Sequence, residues 1–477
     1  MNRPPPLPDR GLAALLGGLM ALAAALTALA YWPGLMTWDA ARQYGQALSA
    51  DFDDWHPPAM EWVWRQLIPL HDGLPPMLIL QLALYWGGFA LLAGWALSEA
   101  AREGRRALAA GLAACGLLPL AMALMGAVLK DCLMAGALIS TSGLYLWSLR
   151  DAPPWRPWLL RGLAILLLLF SATLRFNAFT ATVPLFVALL PATWWRGPVR
   201  LALCSIVATA LMLSAMPIAN RLIGAKPSGV ELSLIIFDLG GITEHSGVNA
   251  FPDMGVADAV AVNHRFYSPV KWDPYSFWVD PVCPLGFDPF KAVVEQRKIK
   301  PYHFWVGAIL AHPIAYAEHR LAHFNINTRF LVHDEIERPV QVESAPNDWG
   351  YKVTPSPLLS AIDTVAVVSA HTPFGWPISW IMVALGILLL APALPSRRLI
   401  VPIALSALLY GLGYGVFSVA AELRYHLWTM LAALIAAVLA ARDIYGMPVV
   451  PWRRIGWCAA PLLVVMVLAT SWRLLPV

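Results

Sequence analysis

Residues 11–31 read GLAALLGGLMALAAALTALAY, and residues 32–58 continue WPGLMTWDAARQYGQALSADFDDWHPP. The first stretch holds no charge and is long enough, at about 1.5 Å of rise per helical residue, to cross roughly 30 Å of hydrocarbon. The second changes character within a few residues, through Trp38-Asp39-Ala40-Ala41-Arg42-Gln43 to Asp51, Asp53, Asp54 and His56-Pro57-Pro58. An apolar helix running straight into an acidic, aromatic loop sets two expectations. The chain is a helical membrane protein, and its polar chemistry begins where the first helix leaves the bilayer.

The same pattern recurs outward from that point. Further apolar runs at 77–98, 107–127, 132–149, 158–174, 178–194, 200–222, 373–394, 399–419, 427–441 and 456–472 bring the expected transmembrane helices to eleven. Of 477 residues, 59% are hydrophobic and 13% charged, about half the charge of a soluble domain. Mean hydropathy is +0.62. These values exclude a cytosolic enzyme, a disordered chain, a coiled coil and collagen. The five cysteines (Cys115, Cys132, Cys204, Cys283 and Cys458) form no CxxC pair, and four of them fall in or at the edge of apolar runs, so no disulfide framework is expected. A net charge of +4, divided between two faces, does not suit nucleic acid.

Orientation follows from the basic residues of the short connections. With the N-terminus cytoplasmic, fifteen bases, among them Arg3, Arg102, Arg397 and Arg453, face only Asp9, Glu99, Glu103, Asp151 and Asp443 on the inside. The inner face is then +10 and the outer face −6, and all seven lysines and eleven histidines lie outside. Ala28-Leu29-Ala30 is an A-x-A site, yet the apolar run exceeds a signal-peptide core, so a signal anchor is expected. Three parts result: an N-terminal membrane module, 1–222, of seven spans with a first outer loop at 32–76; a larger mixed outer juxtamembrane domain, 223–372; and a C-terminal module, 373–477, of four spans. Phe304–Tyr316, too short to span, suits a helix lying at the interface. A bacterial inner membrane with chemistry on the periplasmic side fits this charge distribution.

Three polar turns stand at outer ends of apolar runs: Lys130-Asp131, Arg175-Phe176-Asn177 and Glu422-Leu423-Arg424-Tyr425-His426. Singly, each reads as an interfacial anchor or a local ion pair, Lys130 with Asp131 or Glu422 with Arg424. Together, on the side of the acidic first loop, they read as a site. Asp39 has a plain alternative as the (i, i+3) partner of Arg42, capping a surface helix. Asp51-Phe52-Asp53 has the D-x-D form that holds a divalent cation near a phosphate, although an acidic loop produces that spacing easily. His319 and His323, spaced i, i+4, present two imidazoles to one metal or, more simply, line the surface of an amphipathic helix. The aromatic group Trp272, Tyr275, Phe277 and Trp278 suits sugar stacking or an interfacial belt, and the belt is favoured.

Asp39 followed 17 residues later by His56-Pro57-Pro58, in a chain of this plan, resembles the GT-C superfamily of integral-membrane glycosyltransferases, which use polyprenyl-phosphate-linked sugars. The match is to the protein mannosyltransferase and aminoarabinose transferase types. The resemblance implies an all-α polytopic fold and transfer of a sugar from a polyprenyl-phosphate donor to a hydroxyl of a glycan, lipid or protein acceptor at the outer face, with inversion. In that chemistry Asp39 takes the proton of the attacking hydroxyl, and His56 orients the first loop. Cations stabilise the departing phosphate, and the candidates are Lys130, Arg175 and Arg424, with Asn177, Tyr425 and His426 beside them. Such enzymes often place a second acid beside the first. Here Ala40 stands at that position, and Asp53 or Asp54 is the candidate second acid. No cofactor is certain from the sequence, and a divalent cation stays open. Two other classes fit a multi-pass chain. A polysaccharide polymerase or O-antigen-ligase-like enzyme would leave Asp39 dispensable, and a transporter or flippase would carry ionisable residues deep within its spans. The spans here are nearly free of charge through their middles.

Overall fold

The computed structural model describes residues 10–98, 104–150, 153–333 and 342–475. Arg3, Asp9, Glu99, Arg102, Glu103 and Asp151, counted above for orientation, lie outside them. Among the described residues there is no strand, only isolated bridges between loop segments. The helices are α1 (Arg10–Ala30), α2 (Trp38–Ser49), α3 (Ala59–Leu67), α4 (Pro75–Leu97), α5 (Arg105–Cys115), α6 (Pro119–Leu124), α7 (Lys130–Ser148), α8 (Trp155–Ala172), α9 (Phe179–Leu189) and α10 (Pro198–Ile223). There follow α11 (Glu231–Ser246), α12 (Ala259–Phe266), α13 (Phe287–Gln296), α14 (Pro301–Ala311), α15 (Pro313–Asn327), α16 (Pro357–Ala370), α17 (Pro377–Leu390), α18 (Arg397–Phe417), α19 (Leu427–Tyr445) and α20 (Trp452–Leu474).

Seven helical segments among the described residues are long and apolar enough to cross a membrane: α1, α4, α8, α10, α18, Leu423–Tyr445 and α20. The chain is therefore a polytopic helical membrane protein, as hydrocarbon requires of a backbone whose polar groups must pair internally. The remaining four apolar runs fold differently from the long spans. Run 107–127 divides into α5 and α6, because Pro119 lacks an N–H and starts a new helix. Run 178–194 yields the 11 residues of α9, with Pro184 inside, and run 373–394 yields the 14 of α17. Run 132–149 becomes α7, whose Ser140, Thr141 and Ser142 lower its hydropathy and whose residues are nearly all buried. By contrast Leu15 and Leu19 of α1, Ile206 and Val207 of α10, and Val464 and Val467 of α20 stand exposed, the composition of a lipid-facing surface.

The α4–α7 pair is the frame on which the 32–76 loop sits. A Cβ at Gly88 would lie 2.6 Å from the Ser140 nitrogen and one at Gly136 3.0 Å from the Tyr85 nitrogen, so only glycine permits this approach. Ser140 Oγ donates to the Leu84 carbonyl at 2.7 Å. Just beyond α1, the Tyr31 ring fills the space where Gly126 has no side chain. The Leu35 N–H donates to the Gly126 carbonyl, and the Val128 N–H to that of Leu35, both at 3.1 Å. Gln81 Nε2 donates to the carbonyls of Met125 and Ala127, at 2.8 and 2.9 Å. The start of the 32–76 loop is thus fastened by main-chain bonds to the segment that enters α7.

Residues of 232–294 enclose a second hydrophobic core around Ile235, Ile236, Phe237, Tyr275 and Phe290. Trp55 of the first loop packs on it, with ring centroids 5.3 Å from Phe287 and 5.8 Å from Trp278. Trp272 and Tyr275 are buried in this core, which takes them out of any surface belt, while Phe277 and Trp278 stay partly exposed. α14 has no buried residue.

Candidate active site

α2 starts because Thr37 Oγ1 accepts the Ala40 N–H at 3.1 Å and supplies the N-cap. Asp39 stands in the first turn, where the positive end of the helix dipole favours a carboxylate. Arg42 turns away to Asp53 at 2.5 Å, so the local Asp39–Arg42 pair does not form. Asp39 instead gathers three bases. Arg424 Nη1 donates to its Oδ2 at 2.9 Å, Lys130 Nζ lies 3.5 Å from the same oxygen, and His56 Nε2 lies 3.8 Å from Oδ1. Burial alone would raise the Asp39 pKa; the charges of Arg424, Lys130 and His56 outweigh it and hold the carboxyl well below the usual range.

His56 sits between Asp39 and Lys130, its Nδ1 2.7 Å from Lys130 Nζ. Burial, then the Lys130 charge, pushes its pKa down to about 3. The ring is neutral at ordinary pH. With the ammonium donating to Nδ1, the ring proton is carried on Nε2, toward Asp39. The four side chains of this cluster keep between 11% and 21% exposure, so they are largely dry yet reachable.

The other polar turns adjoin the cluster. Arg175 forms an ion pair with Asp131, and its guanidinium lies 4.3 Å from the Tyr425 ring centroid. Tyr425 stacks on Tyr414 at 5.5 Å, with an interplanar angle of 5°. Asp131 is therefore taken by Arg175, not by its neighbour Lys130. The Glu422–Arg424 pair forms as its spacing suggests. Asn177 is buried, and its amide nitrogen makes no well-formed hydrogen bond. His426 points elsewhere: it is fully buried against the Asn327 side-chain oxygen, outside the Asp39 cluster.

The acids of the first loop are committed to separate partners. Asp53 holds Arg42 and accepts the Trp55 N–H. Asp54 accepts from the Ser228 N–H and hydroxyl at 2.6 and 2.7 Å, joining the loop to the segment that precedes α11. Asp51 pairs with Lys226 at 2.5 Å. Neither Asp53 nor Asp54 is brought to Asp39. The D-x-D carboxylates do not converge, and no group of three His, Cys, Asp or Glu among the described residues is arranged to hold a metal.

Two features were hidden from sequence reasoning. Glu61, in the first turn of α3, is fully buried with Gln43, and neither side chain finds a well-formed hydrogen bond. Burial, then the Asp53 charge, raises the Glu61 pKa to about 8. The only available signal was that Gln43 follows Asp39 by one helical turn, which extends a polar stripe inward. The second feature corrects the reading of His319 and His323 as surface residues. Both are fully buried, edge-on to the Phe237 ring. His319 lies 3.3 Å from Asp238, and His323 Nδ1 lies 2.7 Å from the Pro269 carbonyl. α15 turns its histidine face inward because α11 offers it Phe237 and a buried carboxylate.

No known protein family and no curated protein sequence matches the chain. Among solved structures, a likeness is found to the archaeal oligosaccharyltransferase AglB from Archaeoglobus fulgidus in complex with an inhibitory peptide and a dolichol-phosphate, at 12% sequence identity and a TM-score of 0.37. The match covers 96% of this chain and 56% of that one, so this chain spans little more than half the neighbour's length. So distant a likeness carries no functional weight.

Proposed function

We propose that the chain transfers a sugar from a polyprenyl-phosphate donor to an acceptor hydroxyl at the outer face of the membrane. The observation that carries this reading is the convergence of Arg424, Lys130 and His56 on the one carboxylate of Asp39. The acceptor oxygen attacks the anomeric carbon and passes its proton to Asp39. The bond from that carbon to the phosphate oxygen breaks, and its electron pair leaves with the polyprenyl phosphate. Arg424 and Lys130, with Arg175 behind them, neutralise the charge that grows on that phosphate. A carboxylate held so far below its usual pKa is a poor base at rest. A phosphate that draws Arg424 and Lys130 toward itself frees Asp39 at the moment the base is needed. One carboxylate suffices for a single displacement, whose outcome is inversion. His56 remains neutral and orients Lys130 by accepting from it.

Eleven membrane segments with a cytoplasmic N-terminus, a 223–372 outer domain and a periplasmic site in a bacterial inner membrane complete the proposal, supported by the charge asymmetry of the connections. The acceptor belongs to the class of glycans, lipids or proteins. No step is routed through a cation.

The test is transfer by the purified protein in lipid nanodiscs, supplied with a panel of polyprenyl-phosphate-linked sugars and acceptor glycans. Asp39→Asn is expected to retain polyprenyl phosphate binding and to lose roughly a hundredfold or more in turnover. Undiminished turnover in Asp39→Asn defeats the assigned base. Absence of any polyprenyl phosphate binding by the wild-type protein defeats the enzyme class.

A further inference from the structure

Arg424 stands in the 3-10 turn Leu423–His426, which the chain reaches from the end of α18 through a non-helical segment, residues 418–422. Ser418 and Glu422 both have extended backbone, so the segment has no helical ladder of its own to fix it. The outer domain supplies the missing bonds from two sides. From one side, the Trp272 N–H donates to the Val419 carbonyl and the Ala421 N–H to the Val270 carbonyl, both at 2.9 Å. From the other, Arg320 Nη1 of α15 donates to the Ser418 carbonyl at 2.7 Å. Asn327 Nδ2 donates to Ser418 Oγ at 3.1 Å and to the Ala420 carbonyl at 3.0 Å, while its oxygen meets the His426 ring. Asn327 therefore grips the chain on both sides of Arg424.

Arg320 is itself fixed from behind. It forms an ion pair with Asp238, which is fully buried in α11 and also accepts from Trp305 Nε1 at 2.8 Å. The Phe237 ring lies 5.7 Å from the guanidinium. A buried ion pair of this kind is often no better for stability than apolar side chains of the same volume. Its distinguishing property is direction: the carboxylate aims the guanidinium fork at one carbonyl.

We propose that Asp238, Arg320 and Asn327 are positioning residues for Arg424, a buried relay in the outer domain that sets where the guanidinium stands relative to Asp39 and to the donor phosphate. The proposal rests on the reading of Arg424 as a phosphate ligand, but its structural half stands independently. An ion pair that only glued α11 to α15 would affect global stability; a relay affects the 418–424 segment first.

The test uses the full-length protein in nanodiscs, with a short-chain polyprenyl monophosphate as the binding probe and hydrogen–deuterium exchange as the second readout. Arg320→Ala, Asp238→Asn and Asn327→Ala are expected to speed amide exchange across 418–424 while leaving α4 and α7 protected. They are expected to weaken probe binding roughly 3- to 30-fold, with Arg320→Lys recovering part of the loss. In an Arg424→Ala background, Arg320→Ala should weaken probe binding no further. The proposal is overturned if exchange at 418–424 is unchanged in Asn327→Ala and Asp238→Asn, or if the Arg320 and Arg424 losses add. If the wild-type protein binds no probe, the glycosyl-transfer reading fails while the exchange arm still decides the relay. Should Arg320→Ala not fold, the two neutral substitutions carry both arms.

Discussion

Arg424 Nη1 lies 2.9 Å from the Asp39 carboxylate, across 385 residues of sequence. Its Nε, on the other edge of the same guanidinium, meets Glu422. One planar fork thus serves two acids at once, a geometry that an ammonium cannot copy.

Arg424→Lys should therefore lose more than a conservative change suggests. Removing one fixed donor to a developing oxyanion costs about a hundredfold or more, and a comparable fall in kcat/KM is expected. Asp39→Asn should instead spare phosphate binding and lose roughly a hundredfold or more in turnover. Equilibrium binding of polyprenyl monophosphate beside single-turnover transfer separates the two. Equal losses of binding in both variants would break the assigned division of labour.

Glu61 makes stability depend on alkaline pH. Its folded pKa, raised to about 8, exceeds the ordinary carboxyl value of 4.5. The folded protein thus holds this proton more tightly, and its contribution declines as pH rises from about 4.5 through 8. Glu61→Gln, neutral at every pH, should melt a few degrees above the wild type at pH 8.5 and level with it near pH 5. A constant difference across that range would mean that Glu61 is ionised when folded.

His56 and His323 act in the acid direction. Both are held neutral by burial, with pKa values pushed down to about 3. Unfolding below pH 6.5 lets each take up a proton, so each steepens the loss of stability by about 1.4 kcal/mol per pH unit between 6.5 and about 3. The thermal midpoint of the wild type should fall between pH 7 and pH 5, and His56→Gln should flatten part of that fall. A slope untouched by the substitution would place the proton uptake elsewhere.

Gly88→Val addresses the frame under the site. The Cβ alone would meet the Ser140 nitrogen at 2.6 Å, and backbone has no way to yield as a flexible side chain does. Separating α4 from α7 should cost about 1 to 3 kcal/mol and, because Lys130 opens α7, should lower transfer along with the melting temperature. Full activity in a protein of reduced thermal stability would show that Lys130 does not depend on this contact.

Much of the site could be read from sequence, because a lone charge at the end of an apolar run is conspicuous. Asp39, His56, Lys130 and Arg424 stood out for that reason. Their pairings did not, since sequence offers only neighbours. Lys130 is adjacent to Asp131 but reaches Asp39 and His56, the latter 74 residues away, while Arg175 crosses 44 residues to claim Asp131. Glu61 escaped notice because a carboxylate on a short amphipathic helix looks solvated until Gln43 and the first loop close over it. His319 and His323 were read outward because an amphipathic helix normally turns its polar face to water. Here that face meets α11. The long spans were legible from hydropathy, whereas the shorter helices α5, α6 and α9 depend on where a proline ends or interrupts a hydrogen-bond ladder.

The long reach between Asp39 and Arg424 has a consequence for biosynthesis. The ribosome releases Asp39, His56 and Lys130 early, and the guanidinium that completes their charge arrives only as the last two long helices are made. Until then the Asp39 carboxylate lacks the nearest of its cationic partners. If Arg424 is the phosphate ligand proposed above, a chain truncated ahead of residue 424 lacks that ligand and is expected to be inert in transfer.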